Sequence, residues 1–352
     1  MNFVFTGGGT AGHVTPNIAL IPLVQSLGYT VHYIGREEGI ERELTEKIPG
    51  VIYHGISAGK LRRYNNIKNL TDPFRVIKGF AQSKKLMKEI KPAGVFSKGG
   101  FVSVPVVLAA GEKRIPVVIH ESDMTPGLAT KLCLTAAKKA CTAFEKTAAS
   151  LGKKGVYTGT PLRRELFLGN KEIARKKLSL DEKPVILVMG GSLGAKAINE
   201  FIRAALPRLL AFFNIVHICG KGKLDESAAQ KGYVQLEYVT DGLPDIMALA
   251  DVVVSRAGSN SINEFLALHK PMLLIPLPAL HSRGDQLDNA EEFEKRGYAK
   301  KLLEENITED ILVKEIRDLF DARSDYTKKM ESSGAANGCA NVMKIITGAI
   351  GR

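Results

Sequence analysis

Short apolar runs alternate along this chain with longer amphipathic stretches. "NFVFT" (2–6) is apolar, aromatic and β-branched, and predicts a buried parallel strand. "TPNIALIPLVQSLG" (15–28) predicts a helix, with Thr15 as its N-cap, Pro16 in the first helical position and Gly28 at the C-terminal cap. "YTVHYIG" predicts the next strand. "AGVFSKGG" and "IPVVIHE" predict two more, with "VSVPVVLAAGEKR" as the helix between them. A second series opens at "KPVILVMGGSLGA" and runs on through the helix "KAINEFIRAALPRLL". The strands "FNIVHICG", "VQLEYV", "ADVVVSRAG" and "KPMLLIPLP" follow, with "SNSINEFLALH" as a helix between the last two. Strands and helices alternating at this spacing predict βαβ units and parallel sheets, hence an α/β fold.

The pattern divides the chain into two similar halves. Each opens with a strand running into a glycine turn, at Gly7 and at Gly190. The turn-rich "YTGTPLRRE" (157–165) marks the boundary, giving domains over 1–160 and 161–333. The end, 334–352, reads as a helix expected to pack back on the first domain. A length of 352 residues agrees with two domains rather than one core.

Charge narrows the class of partner. The chain carries a net +12, which favours an anionic partner: nucleic acid, acidic lipid or a phosphorylated substrate. The four cysteines form no C-x-x-C pair, so neither a zinc site nor a disulfide framework is expected, and a reduced cytoplasmic setting fits. No charged n-region with an apolar h-region opens the sequence, and no apolar run approaches the roughly 18 residues of a membrane span. Membrane contact is therefore expected to be peripheral.

The chemistry gathers at the glycine loops. In a parallel sheet, ligands sit beyond the carboxyl ends of the strands, where glycines let backbone approach and helix N-termini favour phosphate. "FTGGGTAGHV" contains Gly7-x-Gly9-x-x-Gly12 but lacks the Lys-Ser/Thr of a P-loop. A dinucleotide site would want a carboxylate at the end of the second strand, where Glu37 and Glu38 fall a little late. His13, at the mouth of the loop, has an unperturbed pKa near 6.5 and can accept a proton; it can equally cap a backbone carbonyl or pack under the loop. In the second half, Ser259, Asn260 and Ser261 offer donors at a helix start, and Glu264 can accept two ribose hydroxyls. Ser261 and Glu264 also have the spacing of a capping box. Gln286 and Asn289 open a further helix within reach of the same ligand.

"TGGGTAGHVTPNIAL", "MGGSLGAKAIN" and "SRAGSNSINEFLALHKPMLLIPLP…DQLDNA", with "SKGGFVSVPVVLAA", "VIHES" and "GTPLR" in order between them, resemble the MurG family. That family transfers N-acetylglucosamine from UDP-GlcNAc to lipid I in peptidoglycan synthesis. The resemblance implies a GT-B fold: two Rossmann-like domains with parallel sheets facing an interdomain cleft. It implies that Gly191 and Ser192 hold the pyrophosphate, Glu264 the ribose, and Val239 the uracil through its backbone. It places Ser259, Asn260, Ser261, Ile262 and Asn263 along the helix start, Gln286 at the N-acetylglucosamine and Arg163 near the donor. Thr10, Ala11 and Gly12 would close over the sugar and diphosphate. The chain departs from the pattern His-Glu-Gln-Asn at His120-Glu121-Ser122-Asp123, which puts the contact ascribed to that Asn in doubt.

The implied reaction is an inverting transfer to the 4-hydroxyl of the muramoyl sugar. It needs a base, with His13 first and Asp123 and Glu121 behind it. The leaving diphosphate would be met by helix N-termini and backbone N–H groups, and with no D-x-D motif no metal is expected. An undecaprenyl-linked acceptor requires contact with the cytoplasmic face of the cell membrane. Residues 60–91 hold ten basic and two acidic residues, with Leu70, Phe74, Ile77, Phe80 and Ala81 at helical spacing. That is a basic amphipathic helix suited to an anionic membrane surface, or an ordinary helix whose stripe packs on its own core. No nucleic-acid motif accompanies it, so nucleic acid is not expected as a partner. The rival readings are a GT-B lipid glycosyltransferase with another acceptor, a UDP-sugar 2-epimerase, and a non-catalytic UDP-sugar-binding protein.

Overall fold

The computed structural model describes residues 1–59, 68–191, 194–239, 241–281, 284–334 and 337–351; the side chains of 68–73 and of His281 are left aside. The chain forms two compact units, Met1–Arg163 with Asn337–Arg352, and Arg164–Ala336.

Unit 1 holds β1 (Asn2–Thr6), β2 (Thr30–Arg36), β3 (Val51–Ile56), β4 (Val95–Ser97), β5 (Val117–Glu121), β6 (Lys139–Thr142) and β7 (Gly155–Tyr157). They form one parallel sheet in the order β3-β2-β1-β4-β5-β6-β7. Unit 2 holds β8 (Val185–Met189), β9 (Asn214–Ile218), β10 (Tyr233–Leu236), β11 (Val252–Ser255), β12 (Met272–Leu274) and β13 (Ala299–Lys301). Its parallel order is β10-β9-β8-β11-β12-β13. The strand order reverses between β1 and β4 in unit 1 and between β8 and β11 in unit 2. Those two crevices are where a doubly wound sheet takes its ligands.

The central strands are buried on both faces, as continuous apolar runs require. In unit 1, Phe3, Phe5, Tyr29 and Phe96 pack edge to face or tilted, and the helix Cys339–Ile350 lays Cys339, Val342, Ile346 and Ala349 against them. Lys138 donates to Ala349 O at 2.8 Å, a cation at the C-terminal end of that helix.

Two local expectations shift. A 3₁₀ turn, Ala11–His13, runs straight into the first helix, Thr15–Ser26. The N-cap is therefore Val14, and the Thr15 hydroxyl donates back to Ala11 O at 3.2 Å instead of capping. The helix Ser259–Ala267 begins at N-cap Gly258 with no side-chain cap among the described residues. Ser261 and Glu264 thus lie inside the helix and do not form a capping box.

The glycines at the unit 1 crevice are structural necessities. Gly100 has φ +83°, and a Cβ there would stand 2.2 Å from Gly8 O. Gly100→Ala combines a left-handed backbone with a backbone clash. It is expected to lower the unfolding free energy by at least about 2 kcal/mol, read by denaturant titration.

Candidate functional site

In unit 1 the first loop leaves β1 and lies against the exit of β4. Tyr33 donates to Gly7 O at 2.8 Å, and Asn17 donates to Thr6 O and to the Tyr33 hydroxyl at 3.1 and 3.0 Å. Gly8 N reaches Gly99 O at 3.3 Å. The Gly9 N–H goes to the carboxylate of Glu41, at 3.1 Å. Glu41 is fully buried in a slot that only glycine permits, since a Cβ on Gly8 or Gly35 would meet its side chain within 3 Å. Arg36 holds the other oxygen through its backbone N (3.2 Å) and Nε (2.8 Å). Burial pushes the Glu41 carboxyl up, but the bonds from Arg36 and the backbone outweigh it and leave it below its ordinary value. One loop amide that could meet a phosphate, that of Gly9, is thus already taken by an internal carboxylate. Glu37 and Glu38 fall after the last residue of β2. The dinucleotide reading loses its footing here.

His13 ends the 3₁₀ turn, half-buried, with its ring over Gly99. Its Nδ1 lies 3.3 Å from Lys98 O. A carbonyl only accepts, so Nδ1 carries the proton in the neutral ring and Nε2 is the basic nitrogen. Capping a carbonyl and serving as a base are therefore compatible. Thr10 is exposed, and Ala11 and Gly12 are half-buried beside it.

The β5 exit is more rigid than a loop of base candidates suggests. Glu121 accepts from Asp123 N (3.0 Å), Gly127 N (3.0 Å) and Thr130 Oγ1 (2.6 Å), so it holds the segment that follows it. Thr147 fixes the same segment through Asp123 O and Met124 O. His120 is buried and bonded to Gly159 O at 3.0 Å; burial, and then the nearby Lys98 charge, pull it down to about 3, so it is neutral. Asp123 is half-buried. Of the three base candidates, Glu121 has both oxygens engaged in shaping the chain.

In unit 2 the glycine loop after β8 is seated on a directional chain of hydrogen bonds. The Tyr233 hydroxyl meets His217 Nδ1 at 2.9 Å, His217 Nε2 meets Asn199 Oδ1 at 3.0 Å, and Asn199 Nδ2 donates to Cys219 O at 3.0 Å. Gly194, φ +68°, abuts that carbonyl so closely that a Cβ would stand 2.0 Å from it. Burial pushes His217 down to about 3, which keeps the chain neutral. Gly191 also needs positive φ, at +83°. Ser192 lies outside the described residues.

The second wall of this crevice is the helix Ser259–Ala267. Ser259 is buried, Asn260, Ser261 and Glu264 are half-buried, and the Ile262 side chain is fully in the core. Asn263 donates to Ser259 O at 2.7 Å and Asn289 to Ala257 O at 3.2 Å, so both brace the helix start. Gln286 accepts from Leu277 N at 3.0 Å through Oε1, so Nε2 is its donor end. Arg256 pins the same loop, donating to Ile275 O and Pro276 O at 3.2 Å and pairing with Glu304 at 2.5 Å. Val239 is half-buried in the loop after β10. Arg163 belongs to unit 1; its buried Nε has no hydrogen-bond partner among the described residues. Those residues contain no group of three or more His, Cys, Asp and Glu arranged to hold a metal ion.

Residues 3–142 match the glycosyltransferase family 28 N-terminal domain, and 185–345 the family 28 C-terminal domain. The chain is 53% identical over 346 residues to the UDP-N-acetylglucosamine--N-acetylmuramyl-(pentapeptide) pyrophosphoryl-undecaprenol N-acetylglucosamine transferase of Lachnospira eligens, covering 97% of this chain and 98% of that protein. The chain belongs to the MurG family. The Clostridium tetani transferase of the same name is 51% identical, with 97% of this chain and 96% of that protein covered. The crystal structure of Acinetobacter baumannii MurG superposes with TM-score 0.77 at 27% identity, covering 98% and 99% of the two chains. The calicheamicin glycosyltransferase CalG4 (TM-score 0.71) and a Listeria monocytogenes protein assigned as a UDP-N-acetylglucosamine 2-epimerase (0.64) are only 14% and 13% identical. Those two likenesses show the shared fold and leave the epimerase reading without support of its own. Within the MurG family frame, sequence reasoning passed over Glu41, Lys98 and Arg256. Lys98 and Arg256 each follow an apolar run and precede small residues, a signal that marks them; nothing in "REEGIERE" singles out Glu41.

Proposed function

We propose that this chain transfers N-acetylglucosamine from UDP-GlcNAc to the 4-hydroxyl of the muramoyl sugar of undecaprenyl-linked lipid I, with inversion, giving lipid II for peptidoglycan synthesis. One observation carries the reading: near-identical length and 53% identity to a transferase whose name states that donor and acceptor. Unit 2 is the donor side. Glu264 takes the ribose, backbone N–H groups at Gly191, Ser192 and Ser259 to Ser261 meet the diphosphate, Val239 meets the uracil, and Gln286 Nε2 donates to the sugar. Arg163 supplies a guanidinium donor. Unit 1 is the acceptor side, with Nε2 of His13 taking the hydroxyl proton. Fixed dipoles at helix starts stabilise the leaving UDP, so no divalent ion is required.

The test is transfer of radiolabel from UDP-GlcNAc to a lipid I analogue in the presence of a chelator. Labelled lipid II is expected; label passed only to diacylglycerol, or released as free sugar, would overturn the assignment.

The acceptor brings the enzyme to the cytoplasmic face of the membrane. No described helix is long and apolar enough to cross it. The helix Lys68–Ile90 supports a peripheral mode. Its packed face is Gly79, Ser83, Met87 and Ile90, whereas Phe74 and Ile77 are 75% and 66% exposed beside Arg75 and Lys78. Phe80 is partly buried against the core, and Leu70 lies outside the described side chains. Large apolar groups standing out among cations suit an anionic lipid surface better than the protein's own core. Replacing Phe74 and Ile77 together by Ser is expected to weaken co-sedimentation with anionic vesicles by about tenfold or more. Transfer to a water-soluble acceptor should stay unchanged.

A further inference from the structure

Arg163 is the last residue of unit 1 before the chain passes into unit 2, and Asn337 is the first after it returns. Asn337 grips the residue next to Arg163. Its Oδ1 accepts from Leu162 N at 2.9 Å, and its Nδ2 donates to Leu162 O at 2.6 Å. A main-chain N–H only donates and a carbonyl only accepts, so both ends of the amide are assigned. The same Oδ1 accepts from Cys339 N at 3.0 Å, at the start of the helix Cys339–Ile350. Two more bonds tie that helix start to the chain leaving β7. Gly338 N donates to Thr160 O at 3.0 Å, and Asn341 Nδ2 donates to Thr158 O at 3.2 Å. Gly338 permits the close approach, since a Cβ there would stand 2.7 Å from the Gly159 carbonyl carbon. Leu162 is buried, so its main-chain groups need partners within the protein.

We propose that Asn337 is a positioning residue for donor binding: it fixes the main chain at Leu162, and with it the point from which Arg163 reaches UDP-GlcNAc. This rests on the transfer reading above, which gives Arg163 its donor contact. The buried Nε of Arg163 has no hydrogen-bond partner among the described residues, so at that nitrogen the main chain is what aims the guanidinium. The ordinary use of an asparagine beside a helix start is to cap it. Here Oδ1 serves that end through Cys339 N, but capping has no need of Nδ2. That donor, and the second bond to Oδ1, go to the residue before Arg163.

The test is calorimetric binding of UDP-GlcNAc to the full-length wild type, Asn337→Ala, Arg163→Ala, the double variant Arg163→Ala/Asn337→Ala, and Asn341→Ala. Arg163→Ala is expected to weaken binding by about tenfold or more, as for a lost hydrogen bond to a charged group. Asn337→Ala should weaken it by about threefold or more, with a smaller fall in kcat at saturating donor. The double variant should bind within about twofold of Arg163→Ala, because a residue that acts only through Arg163 has nothing left to position. Asn341→Ala removes a bond from the same helix to the same segment, at Thr158 instead of Leu162. It should lower the thermal midpoint and leave donor affinity unchanged. Effects that multiply in the double variant would overturn the proposal. So would wild-type affinity in Asn337→Ala, or a loss in Asn341→Ala as large as that in Asn337→Ala, which would mean general loosening of the tail. Wild-type affinity in Arg163→Ala would remove the donor contact itself, and the proposal with it. The binding measurements need no acceptor, so a wild type that bound UDP-GlcNAc but left lipid I unglycosylated would sink the transfer reading alone.

Discussion

Replacing His13 by Ala is expected to lower kcat by about 10²- to 10⁴-fold, the range a positioned general base contributes. Binding of UDP should change little, because His13 belongs to unit 1 and the proposed donor contacts lie mostly in unit 2. The geometry makes a finer prediction. Nδ1 is committed to Lys98 O, so only Nε2 can take a proton from substrate. His13→Gln can imitate the Nδ1 contact but has no basic nitrogen, and should be nearly as impaired as the Ala variant. If His13→Gln kept close to wild-type turnover, the residue would be an orienting group and the base would lie elsewhere, with Asp123 next.

Replacing Glu264 by Ala should raise KM for UDP-GlcNAc by about 10²- to 10³-fold with a smaller change in kcat. Hydrogen bonds to a charged group are each worth about 1.5–3 kcal/mol, and half-burial keeps two of them toward the low end. A factor of ten is about 1.4 kcal/mol, which gives the stated range. The check is discrimination against a donor with a deoxyribose. The wild type should reject 2′-deoxy-UDP-GlcNAc, and Glu264→Ala should barely distinguish it from the ribose form. If the variant still rejected it, Glu264 would not be the ribose contact.

The strands that build the two sheets were legible because they are buried on both faces and read as unbroken apolar runs. The short outer strands were not. "KACT", "GVY" and "AKK" are only three or four residues long, and "VIYHGI" at the edge of unit 1 alternates without a clear face. The glycine loops were legible as loops, since positive φ and close backbone approach demand glycine. What fills them was not. Glu41 sits among Glu37, Glu38 and Glu43 in "REEGIERE", and spacing cannot say which carboxylate turns inward. The slots opened by Gly8 and Gly35 decide it, and those appear only once the strands are side by side. At the donor helix the reverse holds. Asn263 and Asn289 read as ligand contacts, and the sequence could not show that each also donates through Nδ2 to a backbone carbonyl, a use that buried amides find.

The Glu41 carboxylate has a consequence for the traffic of product. Every turnover releases UDP, and two similar halves with glycine turns would ordinarily compete for it. Unit 1 arrives with a resident anion seated on its first turn and locked there by Arg36. On the proposed donor assignment, a free diphosphate would find the Gly9 amide already taken on one half, and its expected seat is on the other. We expect the duplicated fold to avoid confusion between its copies in this way, the resident carboxylate lowering the affinity of one half for a free anion.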